Sequence, residues 1–171
     1  SPMDTIVTVG TKKEARFLAM PTKPFDFKKF SKAEVRNLVK RMREAMRRAN
    51  GVGLSANQVG LSWRFFVAQV PDTQGKQKFY AIFNPVLSRM SKETEVTEEG
   101  CLSVPGMYGL TPRHYEVTLS GFDANGRRIK IKAWGLLARV FQHEVDHLDG
   151  KLFTTRVEKL FSVENQAGKA R

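Results

Sequence analysis

A chain of 171 residues with 41% hydrophobic residues can bury a core without disulfides or structural metals, and the usual size prior makes it one domain. Cys101 is the only cysteine, which excludes an intramolecular disulfide and a secreted disulfide scaffold and points to a reducing, cytoplasmic setting. The net charge of +12 favours polyanions, but no zinc-finger spacing, basic zipper or aromatic single-strand motif accompanies it, so sequence-specific nucleic-acid reading is not expected.

No apolar run is long enough to span a bilayer and no charged-then-apolar leader opens the chain, so neither a membrane partner nor export is expected. Ser1-Pro2-Met3 reads as an expression scar ahead of a native start at Met3. Asp4 to Val9 is a short, partly β-branched segment, and Pro21 and Pro24 break regular structure before Phe25 and Phe27. At Ser31 the signal sharpens. Ser31 with Glu34 is a capping-box pattern, and Val35, Leu38, Val39, Met42 and Met46 follow on one helical face. Asn50-Gly51 ends that helix, and the cations between Arg36 and Arg48 lie mostly on its solvated side.

Gly51 to Gln58 is a glycine-rich turn, lacking the Lys-Ser or Lys-Thr pair of a phosphate loop and the spacing of a dinucleotide fingerprint. Its glycines permit close backbone approach to a ligand or a neighbouring strand, and Gln58 can aim an amide there or simply hold the loop. Trp63 to Val70 reads as a strand. Phe79 to Phe83 and Val86 to Met90 read as two more, interrupted by Asn84-Pro85, with Glu93 to Thr97 a short further piece. Cys101, within Glu99-Gly100-Cys101-Leu102-Ser103, has three readings: a buried apolar residue, a nucleophile with His114 or His143 as base, or a metal ligand. The residues alone do not choose among them. Tyr115 to Asp123 and Arg127 to Lys132 form a hairpin around Ala124-Asn125-Gly126, with Ile129 and Ile131 alternating with Lys130 and Lys132.

Gly135 to Leu148 has helix length, strong helix formers, no internal Gly or Pro, and Gly150 just past its end. Residues four apart on a helix stand above one another, so His143 and His147 present two imidazoles on one face with Glu144 beside them. Two imidazoles so placed bind a divalent ion, and the neighbouring carboxylate can accept a proton from water on it. A second stripe, Leu137, Phe141, Val145 and Leu148, is core packing. Leu152 and Phe153 pack back, and Asn165 to Arg171 is a polar, frayed tail.

Taken together, Gly51 to Gln58, Glu99 to Ser103 and Gln142 to Gly150 resemble the peptide deformylase family, whose pattern is a GxGLAAxQ turn, an EGCLS segment and a QHExDHLxG helix. The resemblance runs from about Ser31 to Phe153, with Ser55 in place of the commoner Ala. It implies an α+β fold in which antiparallel sheets surround a buried central helix carrying the HExxH motif. It further implies one divalent metal held by Cys101, His143 and His147, iron(II) in the cell, with zinc, nickel or cobalt also able to bind. Glu144 would be the general base, and Gln58 with the Leu102 backbone N–H would meet the oxyanion. Gly53, Glu99 and Gly100 would border the substrate, and Leu136, Val140 and His143 would wall the methionine pocket. Arg139 and Tyr108 would fall on a variable rim.

The implied reaction removes the formyl group from N-formylmethionyl peptides and releases formate, with transient ribosome contact through the basic surface as a further expectation. One rival is a zinc metalloprotease with Glu158 or Glu164 as third ligand, since Phe153 stands where a third histidine would be needed. Another is an inactive, basic ribosome- or RNA-binding module.

Overall fold

Residues 3, 5–156 and 159–162 are described by the computed structural model. Glu158, Glu164 and the Asn165 to Arg171 tail lie outside them. The elements are α1 (Lys12–Leu18), α2 (Lys32–Arg48), β1 (Gly53–Ser55), β2 (Phe65–Pro71), β3 (Gln77–Ser88), β4 (Thr94–Cys101), β5 (Val104–His114), β6 (Glu116–Phe122), β7 (Arg128–Trp134), α3 (Gly135–Leu148) and β8 (Lys159–Ser162). An antiparallel sheet of order β1-β2-β3-β6-β7 and a second of order β4-β5-β8 make the fold α+β.

The strand β2 divides the interior. Its side chains alternate, so Phe66, Ala68 and Val70 pack with Phe141, Val145 and Leu148 of α3, while Phe65 and Val67 pack with Val35, Met42 and Met46 of α2. Phe65, Phe66, Val67 and Ala68 have no exposed surface, which makes β2 the shared wall of two apolar cores. Each phenylalanine so buried contributes about 1.5–3 kcal/mol relative to exposure. The helix α3 contacts β1, β2, β3, β6 and β7 of one sheet and β5 of the other, and His147 and Leu148 on it are fully buried.

The expected cap on α2 is present: Ser31 Oγ accepts from Glu34 N at 3.0 Å, and Glu34 Oε1 accepts from Ser31 N at 2.8 Å. Asn50 takes the left-handed conformation expected at its end. The stripe Leu137, Phe141, Val145 and Leu148 faces the core as its period requires, and Phe153 is buried.

Four expectations need correction. The anticipated break at Asn84-Pro85 is a bulge inside one continuous strand: Asn84 has φ +51, the register shifts between Phe83 and Val86, and the Asn84 side chain bonds both backbone groups of Phe25. The short piece at Glu93 extends to Cys101 because it pairs along the length of β5. The strand β5 itself was hidden by Pro105, Gly106, Gly109 and Pro112. Both prolines lie outside Met107–Leu110, the part paired with β8, so no bond to β8 is lost there. Within the glycine-rich turn, Gly53–Ser55 is strand β1 and Ala56–Val59 a 3-10 turn. The helix α1, seven residues capped by Thr11, is too short to show a period.

Candidate metal centre and cleft

Two elements converge on one point. Cys101 ends β4 where the register with β5 shifts, and His143 and His147 stand one turn apart on α3. Cys101 Sγ lies 3.0 Å from His147 Nε2, and the two Nε2 atoms are 3.2 Å apart. The three donor atoms all lie within 4.8 Å of one another. Tetrahedral bonds of zinc length would put two nitrogens about 3.3 Å apart and sulfur and nitrogen about 3.5 Å apart. The residues therefore fit one small divalent ion.

The electrostatics fit as well. Burial alone would discharge His143, but the Cys101 sulfur and the Glu99 carboxylate outweigh it and push the ring up to about 10. Burial and the neighbouring His143 charge keep His147 neutral, well below the usual histidine range. His147 Nδ1 is buried with no hydrogen-bond partner among the described residues.

Glu99 orients His143, accepting from its Nδ1 at 2.8 Å. Burial would raise the Glu99 pKa, yet Arg113 and His143 hold it well below the usual carboxylate range. Arg113 Nε and Nη2 donate to the two Glu99 oxygens at 2.9 and 2.8 Å, and its Nη1 donates to Asp146 at 2.6 Å. Arg139, expected on a variable rim, lines the cleft and donates to Glu99 at 2.7 Å and to the Glu95 carbonyl at 2.9 Å.

Glu144 is buried, and burial, the largest influence, pushes its carboxyl up to about 7. Its Oε1 has no hydrogen-bond partner among the described residues. Its Oε2 lies over Gly53, where a Cβ would come within 2.6 Å of it. Gln58 is pinned by its own oxygen, which accepts from Ser55 N at 3.0 Å, so Nε2 turns toward Ser103 Oγ at 3.1 Å and Cys101 Sγ at 3.7 Å. Ser55 does more than fill an alanine's space, since its hydroxyl lies 2.7 Å from Asn57 Oδ1 and 3.0 Å from Gln58 Oε1.

These groups line a cleft of about 510 Å³. Gly53, Gln58, Leu102 and Glu144 face it, as do Glu99, Gly100, Cys101 and His143; Val140 lines it too, and Leu136, half exposed, stands at its mouth. His147 lies fully buried beneath. Tyr108 packs across Gly100, where a Cβ would come within 2.6 Å of the ring. His114, one of the two bases considered for a Cys101 nucleophile, instead holds the Ser91 carbonyl at 2.7 Å and lines a separate cleft.

Sequence reasoning missed Arg113, Asp146, Ser103 and Asn57, and the part of the wall made by Val104, Pro105 and Met107. Ser103 stood inside a recognised motif and could have been found. Arg113 had no local signal, because its role arises only when β4 pairs with β5.

A family model for polypeptide deformylase matches residues 3–162, beyond the Ser31 to Phe153 span on both sides. Peptide deformylase 2 of Gloeobacter violaceus is 41% identical over 133 residues, covering 78% of this chain and 71% of that one. Peptide deformylase of Roseiflexus castenholzii is 41% identical over 143 residues, covering 77% of each. Among solved structures, a peptide deformylase from Synechococcus elongatus in complex with actinonin superposes with a TM-score of 0.80 at 35% identity, over 93% of this chain and 81% of that one. The Thermotoga maritima peptide deformylase gives 0.78 at 34% identity, over 92% and 99%.

Proposed function

This chain belongs to the polypeptide deformylase family and removes the N-formyl group from formylmethionyl peptides, releasing formate; we propose that Cys101, His143 and His147 hold its metal and that Glu144 is its general base. The observation that carries this reading is the meeting of one sulfur and two imidazole nitrogens beside a buried carboxyl at the floor of a cleft. A divalent ion bound there supplies Lewis acidity, acidifying water and polarising the formyl carbonyl.

The chain's own groups do the rest. Glu144, buried and with Oε1 free of other partners among the described residues, takes a proton from the attacking water and returns it to the departing amine. Gln58 Nε2 and the Leu102 N–H donate to the developing oxyanion. Gly53, Glu99 and Gly100 border the substrate backbone, while Val140, His143 and Leu136 receive the methionine side chain.

One thiolate and two imidazoles suit zinc, and iron(II), nickel or cobalt also bind such a set; iron(II) is our assignment for the cell. We read residues 1–171 as one catalytic domain acting in the cytoplasm, with transient ribosome contact through its basic surface. No helix among the described residues is long and apolar enough to cross a membrane. Family membership weighs against the metalloprotease reading, and the presence of all three proposed ligands beside Glu144 speaks against an inactive module.

The test is metal analysis coupled to formate release from a formylmethionyl peptide. Cys101→Ser should lose both metal and activity. Full metal content in that variant would overturn the ligand assignment.

A further inference from the structure

The edge strand β7 carries a row of side chains that the deformylase reading does not use. Ile129, Ile131 and Ala133 pack into the core on the α3 side, so Arg128, Lys130, Lys132 and Trp134 project from the opposite face, and all four are exposed. The helix α2 packs on β1 and β2, at the other end of this sheet, and leaves the row open. Arg89, just past the end of β3 with φ +50, adds a cation beside the row and lines a groove with Thr118, Lys130, Lys132 and Glu116.

Lysines on an edge strand commonly serve only to prevent pairing with other chains. Two observations go further. Among the described residues Glu116 is the one acid lining the groove; it lies 3.2 Å from Lys132 in an exposed pair of small energetic weight and leaves Lys130 and Arg89 to other anions, while the Arg128 guanidinium lies over the Phe122 ring. The row then ends on Trp134, an indole with half its surface open, which edge protection does not require.

Alternate residues on a strand stand about 6.7 Å apart, close to the step between successive phosphates of an extended nucleic-acid strand. Cations at that step followed by an open aromatic face form the combination that tracks a sugar-phosphate backbone and stacks one unpaired base. We infer that the outward face of β7, Arg128-Lys130-Lys132-Trp134 with Arg89, is a docking surface for single-stranded RNA, the polyanion that surrounds newly made polypeptides. The surface is separate from the metal cleft, and the inference stands or falls independently of the catalytic assignments.

The test uses the metal-loaded protein and a fluorescent oligouridylate, titrated over a range of salt. Wild type should bind with an affinity that falls by about 0.7 logarithmic units per phosphate contacted for each tenfold rise in salt. Replacing Arg128, Lys130 and Lys132 by Glu should weaken binding at least tenfold and flatten that slope, with formate release kept. The charge-matched change of Lys32, Arg36 and Lys40 on α2 should cost much less. Trp134→Ala should lose about tenfold, and Trp134→Phe should restore most of it.

Equal losses from the α2 and β7 triple variants would overturn the proposal, as would undiminished binding by Trp134→Ala. Tighter binding of an RNA duplex, or of oligothymidylate, would overturn the assignment to single-stranded RNA. A β7 triple variant that self-associates in gel filtration while its RNA affinity is unchanged would assign the lysines to edge protection instead.

Discussion

Gly53 and Glu144 occupy one shared space: the Glu144 carboxylate fills the volume where a side chain on residue 53 would begin, 2.6 Å from that Cβ. Replacing Gly53 by Ala must therefore move the carboxylate, although the proposed metal ligands themselves are untouched. We predict that Gly53→Ala lowers kcat about a hundredfold, within the range that a positioned general base contributes, at unchanged metal content. Normal kcat in that variant would show that the carboxylate's placement is not required.

Removing the carboxylate charge should separate activity from stability. Glu144→Gln should lose activity by a factor on the order of 10²–10⁴. In the metal-free protein the same change should be stabilising at alkaline pH. In the fold burial pushes this carboxyl up to about 7, above its ordinary value of 4.5, so burying it costs nothing below 4.5, and the cost grows as pH rises toward 7, to about 3 kcal/mol. Urea unfolding of both metal-free proteins should show Glu144→Gln ahead at pH 8 and level with wild type at pH 4.

Arg113 joins Glu99 to Asp146 with almost no exposed surface. Arg113→Met leaves buried carboxylates short of a partner and should cost about 3–5 kcal/mol in denaturant unfolding. The sign of the pH effect is opposite to that at Glu144. Glu99 is held below its ordinary range, so its contribution is present above its unfolded pKa and is lost only in strong acid. Loss of Arg113 should accordingly move acid unfolding to higher pH. Unchanged acid unfolding would count against this account.

The centre should be sensitive to oxygen when it holds iron. Cys101 is partly exposed at the cleft, and a thiolate there can oxidise along with the metal. Iron(II)-loaded protein should lose formate release in air and keep it under nitrogen, whereas nickel-loaded protein should decay equally in both. Equal decay of the iron form under the two gases would argue against iron as the working metal.

The chemistry was legible where it depended on local geometry. His143, Glu144 and His147 could be placed together because a helix fixes what stands above what, and α2 announced itself by a cap that the structure contains atom for atom. Cys101 could not be joined to them from local pattern, because a strand's neighbours come from distant parts of the chain; there the family resemblance supplied the link. The same limit hid β5 and, with it, Arg113. Its glycines and prolines read as loop, yet pairing with β4 on one side and β8 on the other makes it the centre of a sheet.

The last carbonyls of α3 are closed from far away: Asn57 Nδ2 donates to His147 O at 2.7 Å, while Thr22 N and Oγ1 both donate to Leu148 O at 2.8 Å. The segment that brings both imidazoles is thus finished by groups synthesised long before it. A nascent fragment that stops short of His147 lacks one of the three proposed ligands, and in the folded chain Asn57 and Thr22 hold the carbonyls at the end of the helix that carries it. With Cys101, His143 and His147 as the proposed ligands, stable ion loading is expected to await completion of the fold rather than to follow the order in which the donors emerge.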